Sequence, residues 1–561
     1  MNTNSSTGSF AKKIILYIDE QQGKLVALFL VLMFILWLVT INTTQIIEYP
    51  PDPFYYLKEL PASYWMGMAL AVLALLLMLY KPLPKMKSLA EISFIIVLIL
   101  YLTGTPCLIY ANPRFLDVYR VAGWVDSISQ TGGLAGMSSW YLTDWPMANI
   151  TFSMNSQILG LDALSVAKYY PIIQVFLLSL ILYVIARKIA PRCCLIAPIA
   201  CISLNWVQVG HMSPQSYALL LSALLIFLLL SLRDPAFPGN ERTKIALIII
   251  VWGVMVLAHG ATPLLNLFAM LSLFVIYYLM IHLPLTKRAH PWGQRSPRVQ
   301  AITGFIILFA VVWFFYAFFE AEFVGIRLVN WIQYTLNNIM YGDMFVFEQR
   351  HVTTPAASYS LLNSIRWVSI IGTLVLGVLI SLYLFLKKRS GSLGLIMVGF
   401  FIGYMGVSFY LVVGHFASYG ADRGFVFGLL PASILFTMMI YITLDKTGDV
   451  TTVDKQRNWK YEGLFSTVLS SVVLVFIVVS MIALPVTKYG SDPYGFVSES
   501  EWAGRLYAKE HPEAEVIHSF IYVYNRTELM QQEGEEYRAG FLSDDLNMIY
   551  DSGQSQIYLP R

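Results

Sequence analysis

The chain has 561 residues and a formal net charge of +3, with 57% hydrophobic and only 13% charged residues. Soluble domains carry roughly 25% charge, so the composition excludes an ordinary soluble protein and points to a multi-pass membrane chain. No basic, aromatic-interleaved tract suggests nucleic acid as a partner. Cys107, Cys193, Cys194 and Cys201 lie in or beside apolar runs, with neither disulfide-framework nor metal-ligand spacing.

A helix needs about 17–25 apolar residues to cross the hydrocarbon core. In chain order, such runs predict about thirteen transmembrane helices, near 25–45, 63–80, 89–110, 168–186, 193–209, 214–232, 244–258, 262–281, 300–319, 366–386, 392–413, 424–444 and 463–484. The runs at 193–209 and 244–258 are short. The first run lacks a small-residue cleavage site and reads as a retained helix. No internal repeat is visible, which weighs against a transporter built from inverted repeats.

Basic clusters occupy alternate gaps between these runs: Lys12/Lys13/Lys24, Lys81/Lys85/Lys87, Arg187/Lys188/Arg192, Arg233/Arg242/Lys244, Lys287/Arg288/Arg295/Arg298, Lys387/Lys388/Arg389 and Lys446/Lys455/Arg457/Lys460. By the positive-inside rule these gaps are cytoplasmic. The amino terminus is then inside and, after an odd number of spans, the carboxyl terminus lies on the outer side of a cell membrane.

The complementary gaps include two long outer loops, 111–167 and 320–365, with helix-like stretches at Val118–Ile128 and Phe323–Ile339. The second reads as a helix lying in the interface plane. Beyond Leu484, Ser498 caps a predicted amphipathic helix at Glu499–His511. Glu515–Tyr524 and Met548–Leu559 read as strand-forming, with Asp551-Ser552-Gly553 as a hairpin turn. The expected fold class is an all-α polytopic membrane protein with a small α+β outer tail. Four segments follow: 1–87 with two transmembrane helices, 88–365 with both long loops, 366–484 with the last helices, and 485–561 as a small extracytoplasmic domain.

The outer gaps also gather the residues able to do chemistry. The first long loop holds Arg114, Asp117, Arg120, Tyr141, Asp144 and Trp145; shorter turns hold His211 and His259; the second long loop holds Arg327; the last turn holds His415 and Arg423. Ionisable groups at membrane depth are costly and are functional candidates. Each has a plainer reading. Trp and Tyr at helix ends form interfacial belts, and a histidine at a helix end can serve as a polar cap. Asp117 can pair with Arg114 or Arg120 as a structural ion bridge, and Asp144 before Trp145-Pro146 can cap a turn. Sequons at Asn149 and Asn525 lie on the outer side and permit glycosylation.

Several segments together resemble the GT-C glycosyltransferases, multi-pass enzymes that use polyprenyl-phosphate-linked sugars. They are Asp117-Val-Tyr-Arg120, Tyr141-Leu-Thr-Asp-Trp-Pro146, Tyr169-Tyr-Pro171, His211-Met-Ser-Pro-Gln215, Ala258-His-Gly-Ala-Thr-Pro263 and the ending Leu546-Asn-Met-Ile-Tyr-Asp-Ser-Gly553. The likeness covers residues 88–561 and is nearest to poorly characterised archaeal members. One departure is that two extra helices and the loop Glu48-Tyr-Pro-Pro-Asp-Pro53 precede the module.

The resemblance implies a GT-C-like bundle of about thirteen helices and an inverting transfer of sugar from a polyprenyl (dolichyl) phosphate donor to a hydroxyl on a glycan, protein or lipid acceptor. It casts Asp117 as general base and Asp144 as a second acid orienting the acceptor. Arg423, helped by His259 and His415, would hold the donor phosphate, with Arg120 and Arg327 in reserve and Tyr141, Trp145 and His211 lining the substrate. A lipid monophosphate does not require a metal clamp, although Asp117, Asp144, His259 and His415 could hold a divalent cation if they converge. Two rival functions are a lipid-linked polysaccharide polymerase or ligase and a transporter or flippase; a third is a non-enzymatic assembly partner that kept the fold.

Overall fold

A computed structural model describes residues 5–44, 54–80, 87–110, 112–134, 140–207, 210–232, 239–282, 297–321, 330, 333, 337, 357–386, 391–413, 421–444, 459–489, 515–518, 546–551 and 555–560. The predicted helices at Phe323–Ile339 and Glu499–His511 fall almost wholly outside these residues. So do Arg327, His415 and the side chain of Tyr141.

In chain order the helices are α1 (Ser5–Thr43), α2 (Tyr55–Glu59), α3 (Ala62–Tyr80), α4 (Lys87–Ile99), α5 (Thr105–Ile109), α6 (Leu116–Thr131), α7 (Trp140–Asp144), α8 (Met147–Leu159), α9 (Ala163–Ile189), α10 (Ile196–Leu204), α11 (Pro214–Ser231), α12 (Glu241–Ala258), α13 (Ala261–His282), α14 (Pro297–Phe315), α15 (Ala357–Leu386), α16 (Gly391–Val413), α17 (Ala421–Leu444) and α18 (Trp459–Tyr489). Leu100–Gly104 joins α4 to α5 as a π-helical turn, and Tyr316–Glu320 ends α14 as another. Among the described residues ten helices are long and apolar enough to cross a membrane, and Leu393–Phe409 is a shorter apolar helix.

One of the thirteen predicted spans is corrected. The run near 193–209 contains only the nine-residue α10, about 14 Å of helix at ~1.5 Å per residue, less than half the core thickness. Every residue of α10 is buried, so its apolarity serves the protein interior rather than lipid. The run near 244–258 is α12, whose first turns carry Glu241, Arg242 and Lys244. The Lys244 ammonium is buried and donates to the Ser231 carbonyl at 2.8 Å, closing the end of α11.

Polar caps mark where helices begin. Asp162 accepts from the Ser165 amide at 2.9 Å to start α9, and Ser213 and Ser216 cap each other reciprocally ahead of α11. Gly132 (φ +70°) and Gly160 (φ +63°) end α6 and α8 in the left-handed conformation that favours glycine.

Arg192 defines one end of the bundle by donating to the carbonyls of Tyr80 and Leu444, at 3.1 and 2.9 Å. Lys87, which donates to the Pro191 carbonyl, and Arg187 and Lys188 in the last turn of α9 lie at this end. The opposite end, at the start of α9, carries α6 and α8 of the first long loop and is called the loop face. The helix at the centre is α17, whose spanning stretch is 89% buried; those of α1 and α14 are 22% buried and lie at the periphery. One large core joins α1, α3, α4, α9–α18. A separate small core joins Val118, Val121, Ala122 and Val125 of α6 to Ala148 and Phe152 of α8, the start of α9, Met212 and Ala258.

In the tail, β1 (Glu515–His518), β2 (Leu546–Asp551) and β3 (Ser555–Pro560) form an antiparallel sheet ordered β1-β3-β2. The predicted hairpin is therefore present, with Asp551 paired to Gln556. The predicted strand at Glu515–Tyr524 is described only as far as His518.

Candidate functional site

The segment Pro113–Arg120 enters α6 through a constrained corner. Phe115 has φ +75° and ψ +125°, a conformation nearly restricted to glycine. Two contacts hold it there. The Tyr119 hydroxyl donates to the Pro113 carbonyl at 2.9 Å. Arg114 turns into the bundle, where its guanidinium lies 4.6 Å from the Tyr110 ring, 4.7 Å from Tyr489, 5.9 Å from Phe115 and 6.0 Å from Tyr56.

Asp117 follows on the first turn of α6, where the helix N-terminus favours a carboxylate. Its side chain is 55% exposed and pairs with Arg120 at 3.3 Å. Of the alternatives left by the sequence, pairing with Arg120 rather than Arg114 is the one observed. The Arg120 guanidinium also lies 5.3 Å from the Trp124 ring.

Asp144 closes α7. It is half-buried, and loss of hydration raises its carboxyl above the ordinary range against a weak opposing bond from the Thr143 hydroxyl. Its backbone carbonyl accepts from the Tyr316 hydroxyl. Trp145 is buried with its ring against Gly260, where a β-carbon would stand 2.6 Å from the indole. No larger residue fits there without displacing Trp145. Trp313 Nε1 donates to the Gly260 carbonyl at 3.1 Å.

His259 ends α12 and is buried. Its Nδ1 accepts from the Thr262 amide at 3.2 Å and lies 2.9 Å from the Thr262 hydroxyl. A ring nitrogen that accepts cannot carry the proton, so the neutral ring carries it on Nε2. Burial first, and the Arg423 charge second, push this imidazole down to about 3. His259 is therefore a neutral ring whose Nε2–H is left as its donor. Arg423 lies in the first turn of α17 and is half-buried; two residues on, the Phe425 ring lies 6.4 Å from that of Trp206, tilted by 32°. His211 is half-buried, its ring 5.3 Å from Phe115.

Four of the segments singled out in the sequence thus border one small core: Val118 follows Asp117, Met147 lies two residues beyond Trp145, Met212 follows His211 and Ala258 precedes His259. The Arg423 charge is felt at His259, which links it electrostatically to this group. Asp117 has no contact with Arg423 among the described residues; its charge is met by Arg120. Among the described residues, no three His, Cys, Asp or Glu side chains gather as a metal site, and Asp117, Asp144 and His259 do not form a ligand set.

No family model matches the chain, and no curated protein matches it. A search of solved structures finds similarity to the crystal structure of the Archaeoglobus fulgidus oligosaccharyltransferase in complex with Zn and sulfate. The TM-score is 0.41 at 13% identity, over 81% of this chain and 57% of that one. So remote a likeness assigns neither fold family nor activity.

Sequence reasoning missed Arg114 as a buried group, Tyr316 and Trp313 as clamps on the site, and Lys488. Arg114 does sit in an aromatic-flanked stretch, Tyr110-Ala-Asn-Pro-Arg-Phe115, a signal of cation–π packing. For Tyr316, Trp313 and Lys488 nothing local separates them from other residues at helix ends.

Proposed function

We propose that this chain is a membrane glycosyltransferase of GT-C type that moves a sugar from a polyprenyl phosphate to a hydroxyl acceptor at the outer boundary of the membrane. The observation that supports this reading is the gathering of the Asp117, Asp144–Trp145, His211 and His259 segments around one small core on the loop face, with the Arg423 charge acting on His259. These are the segments that carry the sequence resemblance. The loop face is the outer one by the charge rule, since the basic clusters lie at the other end.

In the proposed reaction the acceptor oxygen attacks the anomeric carbon as its proton passes to the Asp117 carboxylate. The bond from that carbon to the phosphate oxygen breaks, and its electron pair leaves with the phosphate. Negative charge collects on the leaving group, where Arg423 supplies a fixed cation and the His259 Nε2–H a neutral donor. Asp144, held up in pKa by burial, keeps a proton more readily than an exposed carboxyl and orients the acceptor. Arg120 leaves Asp117 when the acceptor arrives.

The test uses the purified full chain in phosphatidylcholine nanodiscs with radiolabelled polyprenyl-phosphate hexose and a membrane extract as acceptor source. Label should pass to the acceptor and free polyprenyl phosphate should accumulate. Donor recovered intact under all conditions overturns the reading.

A further inference from the structure

The last turn of α18 presents a lysine in an unusual setting. Lys488 lies one residue from the end of its helix, close enough to water for its chain to snorkel outward. It turns inward instead and is 5% exposed. Its ammonium meets no carboxylate or hydrogen-bond acceptor among the described residues. Its neighbours are the Tyr489 ring at 5.8 Å, the thiols Cys107 and Cys201, and a second cation, Arg114. A largely buried lysine without a counter-charge is strongly disfavoured, and a second cation nearby makes it worse.

The walls of this region hold further unmet groups. The backbone passes close at Gly210, where a β-carbon would stand 3.6 Å from Lys488 Nζ. On the same stretch, Trp206 Nε1, Ser203 Oγ and Asn205 Oδ1 are buried without hydrogen-bond partners among the described residues. Arg366 links the two sets: its Nε donates to the Thr487 carbonyl at 2.8 Å while its guanidinium lies 5.1 Å over the Trp206 ring. Buried donors are nearly always satisfied in folded proteins, so several orphans beside an uncompensated ammonium mark a place built for something else.

The geometry points to a buried oxyanion site at the loop-face end of α10 and α18, taking a phosphate monoester through Lys488 Nζ, Trp206 Nε1 and Ser203 Oγ. Arg114 and Arg366 add positive potential, and a protonated phosphate oxygen can donate to Asn205 Oδ1. The chemistry suits either a lipid headgroup or free phosphate. The site does not rest on the transfer reaction, since a transporter or scaffold could equally hold a phosphate here.

The experiment measures binding to the full chain in phosphatidylcholine nanodiscs, by native mass spectrometry and by shift in Tm. Three probes are compared: inorganic phosphate, phosphatidic acid and polyprenyl monophosphate. Binding of at least one should be about tenfold or more weaker in Lys488→Met, as expected for losing a charge-assisted bond. It should also weaken in Trp206→Phe, which keeps the ring and removes only the N–H. Lys87→Gln at the opposite end should bind like the parent chain. Dependence seen with inorganic phosphate alone assigns the site to the free ion; dependence seen only with the two lipids assigns it to a headgroup. No binding of any probe, or equal binding by parent and Trp206→Phe with every probe, overturns the proposal, even if Lys488→Met fails to fold. Binding without sugar transfer would leave this site standing while sinking the transferase reading.

Discussion

The Tyr316 hydroxyl donates to the backbone carbonyl of Asp144, 172 residues away in the chain. Trp313, one turn earlier on α14, does the same for Gly260. One helix end therefore clamps both the acidic segment and the His259 turn. The π-helical turn at Tyr316–Glu320 contributes by changing the angular position of side chains at the end of the helix.

Removing that clamp tests whether the position of Asp144 matters. Tyr316→Phe should cost about 1 kcal/mol of stability, the net worth of one hydrogen bond. Transfer should fall by about tenfold or more, because small displacements of reacting groups are expensive. Unfolding curves and turnover measured side by side check both; equal turnover would remove Asp144 from the acceptor site.

The His259 imidazole ties stability to pH. Its ordinary value of 6.5 applies to the unfolded chain, whereas the folded chain holds it near about 3. Between these values the unfolded state binds the extra proton, so stability falls as pH drops. The contribution is complete above about 6.5 and is lost progressively toward 3. A Tm profile should decline more steeply below pH 6.5 in the parent than in His259→Gln; parallel profiles would contradict the buried neutral ring.

Asp117→Asn should abolish transfer while leaving expression and donor binding intact. Arg120→Gln removes an exposed ion pair worth less than about 1 kcal/mol, so its Tm should barely move. Arg423→Ala should instead weaken donor binding. Turnover and donor affinity, measured separately, distinguish these roles; unchanged turnover in Asp117→Asn would eliminate it as the base.

Within the apolar interior, Asn266 is the hub of a polar network. Its amide donates to the Ser222 hydroxyl and the Thr262 carbonyl, both at 2.9 Å, and its oxygen accepts from Tyr404 at 2.7 Å. Asn266→Leu should cost about 2–3 kcal/mol, because it orphans the buried Tyr404 hydroxyl and adds bulk. Reversible unfolding in detergent measures the loss, which should exceed that of Tyr404→Phe.

Close approach of two helices depends on Gly399 and Gly403 of α16. A β-carbon at Gly403 would stand 2.4 Å from the Ala269 backbone of α13, and one at Gly399 would stand 2.7 Å from that of Leu273. Small residues four apart permit such contact in membranes. Gly403→Ala should cost about 2–3 kcal/mol by forcing the helices apart. Gly304→Ala, with open space around it, should be neutral or slightly stabilising. Comparable Tm values for the two would refute the contact.

Much of the architecture is written in local pattern. Long apolar runs separated by alternating charge specify membrane helices, because each run is read by lipid and water without reference to distant residues. Strand propensity around Asp551-Ser552-Gly553 likewise specifies the β2–β3 hairpin. The same pattern misassigned α10, since an apolar run looks alike whether lipid or protein surrounds it. Asp117, Asp144, His211, His259 and Arg423 could be named from type and position, but not their neighbours. That His259 is buried and neutral, that Arg114 turns away from Asp117 into the bundle, that Tyr316 holds Asp144 and that Lys488 points inward were decided by tertiary packing. Burial and electrostatic environment arise from segments hundreds of residues apart, and no local stretch of sequence encodes them.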